Sequence, residues 1–218
     1  MRIPITDEFV AEFDHMPTQS TVDLKGRRSK NDPARPDYPL LRAARFELRH
    51  FAMRDIEALT SMAREHRIAD TIIGVPHPYT AQFARMWIGS HDADWQTHRA
   101  LHWAAFPHGD PHYLAGYAGL VNIDSERLQG ELRFWVGRGV ERCGDALEWS
   151  EAVIEFASRA LHIKRIYALQ MHRHKLAGHV LERLGMRPIG AVRKRVFAEG
   201  LMEDVECWSM QCVDRQSN

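Results

Sequence analysis

Glu131-Leu-Arg-Phe-Trp-Val136 runs through a short loop into Glu141-Arg-Cys-Gly144-Asp-Ala146, which opens a long segment of apolar periodicity. The first half alternates in period two. It sets Glu131, Arg133 and Trp135 on one face and Leu132, Phe134 and Val136 on the other, so it reads as a strand. The second half, Gly144 to Leu161, carries Leu147, Val153, Ile154, Ala157 and Leu161 at helical spacing. A strand feeding a helix N-terminus presents free backbone N–H groups and the positive end of the helix dipole, and both suit a pyrophosphate. Small residues at 144 and 146 let anionic oxygens approach the backbone. Many such junctions carry a glycine and bind nothing, so the surrounding order of elements has to decide.

Upstream, Phe46, Leu48 and His50 alternate with charged residues as a half-buried strand, and Arg54 to His66 follows as a helix. Pro76 and Pro78 break the chain, and Thr80 caps a second helix through Phe83, Trp87 and Ile88. Leu101 to Phe106 and Tyr113 to Ile123 read as strands around the turn Pro107-His-Gly-Asp-Pro111. Downstream come a strand from Arg165 to Gln170 and a helix from Lys175 to Leu184 that stops at Gly185. Two strands end the chain, Val192 to Phe197 and Val205 to Cys212. Strand, two helices, three strands, helix, strand, helix, two strands is a mixed α/β (α+β) pattern without internal repeat. Residues 1–39, broken by Pro4, Pro17, Pro33, Pro36 and Pro39, read as an N-terminal arm ahead of one domain over 40–214.

Composition narrows the class. Hydrophobic residues make up 44% of the 218, enough for a packed core. Lys plus Arg and Asp plus Glu are each 29, which gives no basic excess for DNA. Cys143, Cys207 and Cys212 form neither a disulfide framework nor a zinc set, and His172, His174 and His179 lack partners at ligand spacing, so no metal is expected. No apolar run reaches the roughly 18–20 residues of a membrane span. With no h-region after Met1, the expectation is a cytoplasmic protein.

Several spaced motifs over about residues 40–212 resemble the GNAT superfamily, in the branch related to RimJ and RimL, the ribosomal-protein N-terminal acetyltransferases. Phe46-Glu-Leu-Arg49 with Arg54-Asp55 is similar to that branch's first strand and helix entry, and Pro78-Tyr-Thr80 through Trp87-Ile88 to its second helix. Leu114-Ala-Gly-Tyr-Ala-Gly-Leu120 resembles its "IGYIGL" strand, Glu131-Leu-Arg-Phe-Trp135 its "EIGYW", and Val180-Leu-Glu-Arg-Leu-Gly185-Met186 its "VLEKLGF". Asp204-Val205 and Trp208-Ser209 resemble its last strand. The resemblance implies a mostly antiparallel sheet with two splayed parallel strands and helices on both faces. It also implies acetyl-CoA as cosubstrate, an amine acceptor on a protein N-terminus or a small molecule, and a monomer or homodimer.

Carried over residue by residue, the resemblance makes Phe134, Trp135, Val136, Arg142, Cys143, Gly144, Asp145, Ala146 and His174 the expected cofactor contacts. Against the family's loop Q/R-x-x-G-x-G/A, the chain keeps Gly144 and Ala146 and departs at Glu141, Arg142 and Asp145. Arg142 could pair with a phosphate; Asp145 would repel one unless it serves the helix N-terminus. Glu131, at the start of a splayed strand, is the expected general base, the alternatives being a surface-paired carboxylate or a binder of the substrate ammonium. The family's general-acid tyrosine corresponds to Leu181, which leaves Tyr167 and Ser209 as acids by location only. Arg133 is the residue to inspect for a larger, carboxylated acyl group. A degenerate domain that binds acyl-CoA without turnover is the competing reading.

Overall fold

A computed structural model of the chain describes residues 38–64, 78–137, 143–195 and 202–212. Its strands are β1 (Leu41–Arg42), β2 (Phe46–His50), β3 (Leu101–Pro107), β4 (Gly116–Asp124), β5 (Gln129–Val136), β6 (Arg165–Met171), β7 (Arg187–Arg195) and β8 (Met202–Gln211). Its helices are α1 (Ile56–Ala63), α2 (Ala81–Gln96), α3 (Cys143–Ala160) and α4 (Lys175–Arg183). The strands form one sheet in the order β1-β2-β3-β4-β5-β6-β8-β7. Its pairings are antiparallel, except that β5 and β6 run parallel. Parallel neighbours need a crossover, and α3 supplies it.

Period-two alternation sorts the strands into two cores. Leu101, Trp103, Leu120, Leu132 and Ile166 face one way, where Trp149, Val153 and Ala157 of α3 and Leu181 of α4 cover them. Ala104, Phe106, Tyr117 and Trp135 face the other way and pack with Leu59, Met62, Ala84 and Ile88 of α1 and α2. Each fully buried large apolar side chain contributes roughly 1.5–3 kcal/mol by leaving water. The mixed sheet, mostly antiparallel and with helices on both faces, is therefore the expected fold.

Local chemistry sets the helix ends. Thr80 Oγ1 accepts the Phe83 N–H at 3.3 Å and caps α2. Asp55 accepts the Ala52 N–H at 2.7 Å and both terminal nitrogens of Arg49 at 2.8 Å, which ties the entry of α1 to β2. Gly185 takes φ +82°, the left-handed backbone that ends α4 as its sequence position suggests.

The boundaries differ in several places; β4 begins at Gly116 rather than Tyr113, and β8 at Met202 rather than Val205. The two-residue β1 is too short to leave a pattern. Strand β7 begins at Arg187, five residues before the Val192 read from sequence, because Pro188 sits at a register shift, where a missing N–H interrupts no ladder. Tyr38 and Pro39, read as arm, are packed: the Tyr38 phenol donates to the His102 carbonyl at 3.2 Å, and the Pro39 carbonyl accepts the Trp103 indole N–H at 2.7 Å. The arm up to residue 37, the end of the first helix at His66, Pro76, and the end of the strand at Phe197 lie outside the described residues.

Candidate functional site

Strands β5 and β6 pair at Gln129↔Arg165, Gly130↔Ile166 and Glu131↔Tyr167. Beyond that rung β5 runs on to Val136 and β6 to Met171, each paired, among the described residues, with its outer neighbour alone, β4 or β8. Two strands that begin side by side and then diverge leave a wedge. Strand N–H and C=O groups alternate in direction, so β5 turns every second pair into that wedge without a ladder partner.

Of the expected contacts on β5, Phe134 and Val136 lie on the α3 side, partly buried. Trp135 points the other way, its ring 5.0 Å from that of Tyr117 and 5.7 Å from that of Trp87. These three side chains therefore do not converge. What they share is the backbone edge along the wedge, and hydrogen bonds from that edge are how this stretch can hold an extended ligand.

At the far end stands the first turn of α3. Gly144 is half-buried, and among the described residues a Cβ added there would meet only Arg45 Nη2, at 3.9 Å, an ordinary contact distance. Ala146 is buried in the core. Asp145 is also buried, with Oδ1 2.7 Å from Arg45 Nη2. The same Arg45 holds Glu148: its backbone N–H donates to Oε1 at 2.6 Å and its Nε to Oε2 at 2.9 Å. The carboxylate that would repel a phosphate is thus paired from the β2 side. Arg142 lies outside the described residues, as does the side chain of Cys143.

His174 is the N-cap residue of α4, with no hydrogen bond from its side chain to the helix. Burial, and then the neighbouring Arg173, hold its imidazole below the usual histidine range. At neutral pH the ring is therefore uncharged, a hydrogen-bond donor or acceptor and not a cation.

Glu131 is 2% exposed and lies at the apex of the wedge. Arg133, next on the same face, donates from Nε to Oε1 at 2.6 Å and from Nη2 to Oε2 at 3.2 Å. Asn122 Nδ2 donates to Oε2 at 2.7 Å. Tyr167, on the facing strand, is buried, and burial followed by the Glu131 charge pushes its phenol well above the ordinary range. It therefore stays a hydrogen-bond donor. Ser209 Oγ is turned to the Ile166 carbonyl at 3.3 Å, and Leu181 is buried in the core beneath α4. Among the described residues, no group of three His, Cys, Asp or Glu side chains is arranged to hold a metal ion.

Sequence reasoning missed two members of this arrangement. Arg45 gave no signal beyond the unexplained acid at 145, since its partner is distant in sequence. Asn122 left one trace, a polar, strand-disfavoured residue at the end of the run Gly116–Val121.

The family model described as "Acetyltransferase (GNAT) domain" matches residues 45–187. No curated protein matches the chain by sequence. Solved structures share the fold at low identity. The ribosomal-protein-S5-alanine acetyltransferase from Vibrio fischeri superposes with a TM-score of 0.71 at 16% identity, over 82% of this chain and 100% of its own. The microcin C7 self-immunity acetyltransferase MccE, solved with acetyl-CoA and AMP, gives 0.67 at 17%, over 78% and 93%. The spermidine N-acetyltransferase from Vibrio cholerae, solved with CoA and spermine, gives 0.65 at 15%, over 77% and 96%.

Proposed function

The chain belongs to the GNAT acetyltransferase domain family, and on that premise we propose that it moves an acetyl group from acetyl-CoA directly to a primary amine, on a protein N-terminus or a small molecule, within one ternary complex. One observation carries this reading: the parallel ladder of β5 and β6 ends at Glu131↔Tyr167 while both strands continue. The unpaired edge of β5 can then hold the pantetheine arm and polarise the thioester carbonyl through backbone N–H groups. The first turn of α3, at Gly144, takes the pyrophosphate. His174 adds a neutral hydrogen bond beyond it.

The amine nitrogen bonds to the carbonyl carbon, and its proton passes to the Glu131 carboxylate. The C–S bond breaks, and the thiolate accepts a hydrogen bond from Tyr167. A thiol pKa near 8.5 lets the thiolate leave and take its proton from water. Two of the three guanidinium nitrogens of Arg133 bond Glu131. That arrangement supports acetyl over an acyl group ending in a carboxylate, which would need that guanidinium for itself.

Calorimetry with acetyl-CoA tests the site, with Gly144→Trp as the blocked control. The expected result is micromolar binding that the substitution abolishes, followed by thiol release when primary amines are added. Binding that survives the bulky side chain would move the pyrophosphate away from α3.

A further inference from the structure

Strand β4 loses its register against β5 between Val121 and Asp124. Asn122, at that bulge, has φ +49°. Left-handed backbone disfavours most residues with a Cβ, and asparagine is one of the few that adopt it readily. Alternation explains what the bulge accomplishes. Tyr117 faces α1 and α2 while Ala118 and Leu120 face α3, so an unbroken strand would send residue 122 to the α3 side. The extra residue re-aims it. Its Nδ2 instead reaches Glu131 Oε2 at 2.7 Å, and its side chain also shares a hydrogen bond with the Tyr167 phenol. Glu131 and Tyr167 are the last rung of the parallel pair. A single amide, delivered by a bulge from a third strand, therefore ties together the two groups at the apex of the wedge.

We propose that Asn122 is a positioning residue for acyl transfer: it fixes the Glu131 carboxylate and the Tyr167 hydroxyl relative to each other across the opening, so that one faces the amine and the other the departing sulfur. This rests on Glu131 acting as the base. Arg133, two residues along the same strand, bonds both carboxylate oxygens and so holds Glu131 from β5 alone. With Asn122 on Oε2 its plane is set from two strands. The bulge is the means of bringing a polar amide to a face that β4 otherwise fills with Tyr117.

Two substitutions separate this role from a merely structural one. Asn122→Gly suits the left-handed backbone and removes only the amide. Asn122→Asp keeps the shape and the backbone tolerance but sets a carboxylate against Glu131. Thiol release from acetyl-CoA is followed as a function of pH with whichever amines the wild type accepts. Both variants are expected to keep the wild-type KM for acetyl-CoA within about twofold and to lose kcat by about tenfold or more, the scale of misplaced acid–base groups. The acidic limb of the pH–rate profile moves upward, further in the Asp variant. An unchanged limb, or a uniform loss at every pH, overturns the positioning role and leaves Asn122 a bulge residue. If Glu131→Gln keeps wild-type kcat, the base itself is misassigned and the proposal falls with it. A wild type that binds acetyl-CoA but releases no thiol with any amine overturns both the proposal and the catalytic reading.

Discussion

Arg45 is the residue that pairs the carboxylates at the first turn of α3. It is half exposed, yet its partner Asp145 is 2% exposed at the first turn of α3, and Glu148 shares the same guanidinium. Replacing Arg45 with Met leaves a buried carboxylate without its countercharge, beside the helix end expected to meet a pyrophosphate. The stability cost is about 1–2 kcal/mol, below that of a fully buried pair because water already screens the arginine. The larger effect falls on the ligand: acetyl-CoA binding by Arg45→Met is expected to weaken about tenfold, the equivalent of ~1.4 kcal/mol. Adding Asp145→Asn should restore most of it, because it removes the repulsion that the arginine masks. Calorimetry on the two variants reads this directly. Equal binding by wild type and Arg45→Met would mean that the Asp145 charge does not reach the ligand. Asp145 by itself looks like a defect in sequence; its compensation lies in the bend before β2, and no local pattern signals a pairing so distant along the chain.

At the scale of elements, one contact sets how closely α3 lies on the sheet. A Cβ on Gly116 of β4 would lie 2.3 Å from Trp149 Cζ3 and 2.5 Å from the Trp135 carbonyl oxygen. Trp149 is fully buried and cannot retreat without lifting α3 from the sheet. Gly116→Ala is therefore expected to destabilise the fold by about 2–3 kcal/mol, the scale of an overpacked core, and to be read as a lower urea midpoint with unchanged slope. A loss below about 0.5 kcal/mol would show that α3 shifts freely. This contact also explains what was legible. Strands β2, β3 and β5 and helices α2, α3 and α4 were evident because apolar periodicity reports buried faces: each helix packs one face on the sheet, and the strands send alternate residues to the two cores. The end of the parallel ladder at Glu131↔Tyr167 was not evident from alternation, which continues unbroken through Val136. That feature came from the resemblance. The bulge at Asn122 was hidden for the same physical reason: period two reports which face a residue takes, not where the ladder slips.

Across the whole molecule, α2 is fastened to the sheet through buried imidazoles, which makes stability depend on pH. His91 of α2 is 1% exposed, and neither ring nitrogen has a hydrogen-bond partner among the described residues. It stacks on His102 of β3 at 4.1 Å, and the His50 ring from β2 lies 5.7 Å away. Trp87 from its own helix and Phe51 complete its surroundings. His102 contacts the Tyr117 hydroxyl through Nδ1 at 2.9 Å, with its Nε2 3.8 Å from Asp94 Oδ2. Burial first, and then the neighbouring imidazoles, hold His91 well below its ordinary 6.5; burial also lowers His102, against the opposing pull of Asp94. The unfolded chain binds protons at ordinary histidine values, so below about pH 6.5 it takes up protons that the folded protein refuses. Stability is thus full above that pH. As pH falls further it drops by up to about 1.4 kcal/mol per unit for each such histidine, until the folded values are reached. His91→Leu deletes one of these sites together with two unpartnered polar atoms, so at pH 7.5 it should be neutral or stabilising. Between pH 6.5 and 5.5 its loss of stability should be smaller than that of the wild type by about 1 kcal/mol. Urea unfolding at the three pH values measures the difference. Parallel slopes for the two proteins would assign the acid sensitivity to other groups and would mean that water reaches His91 in solution.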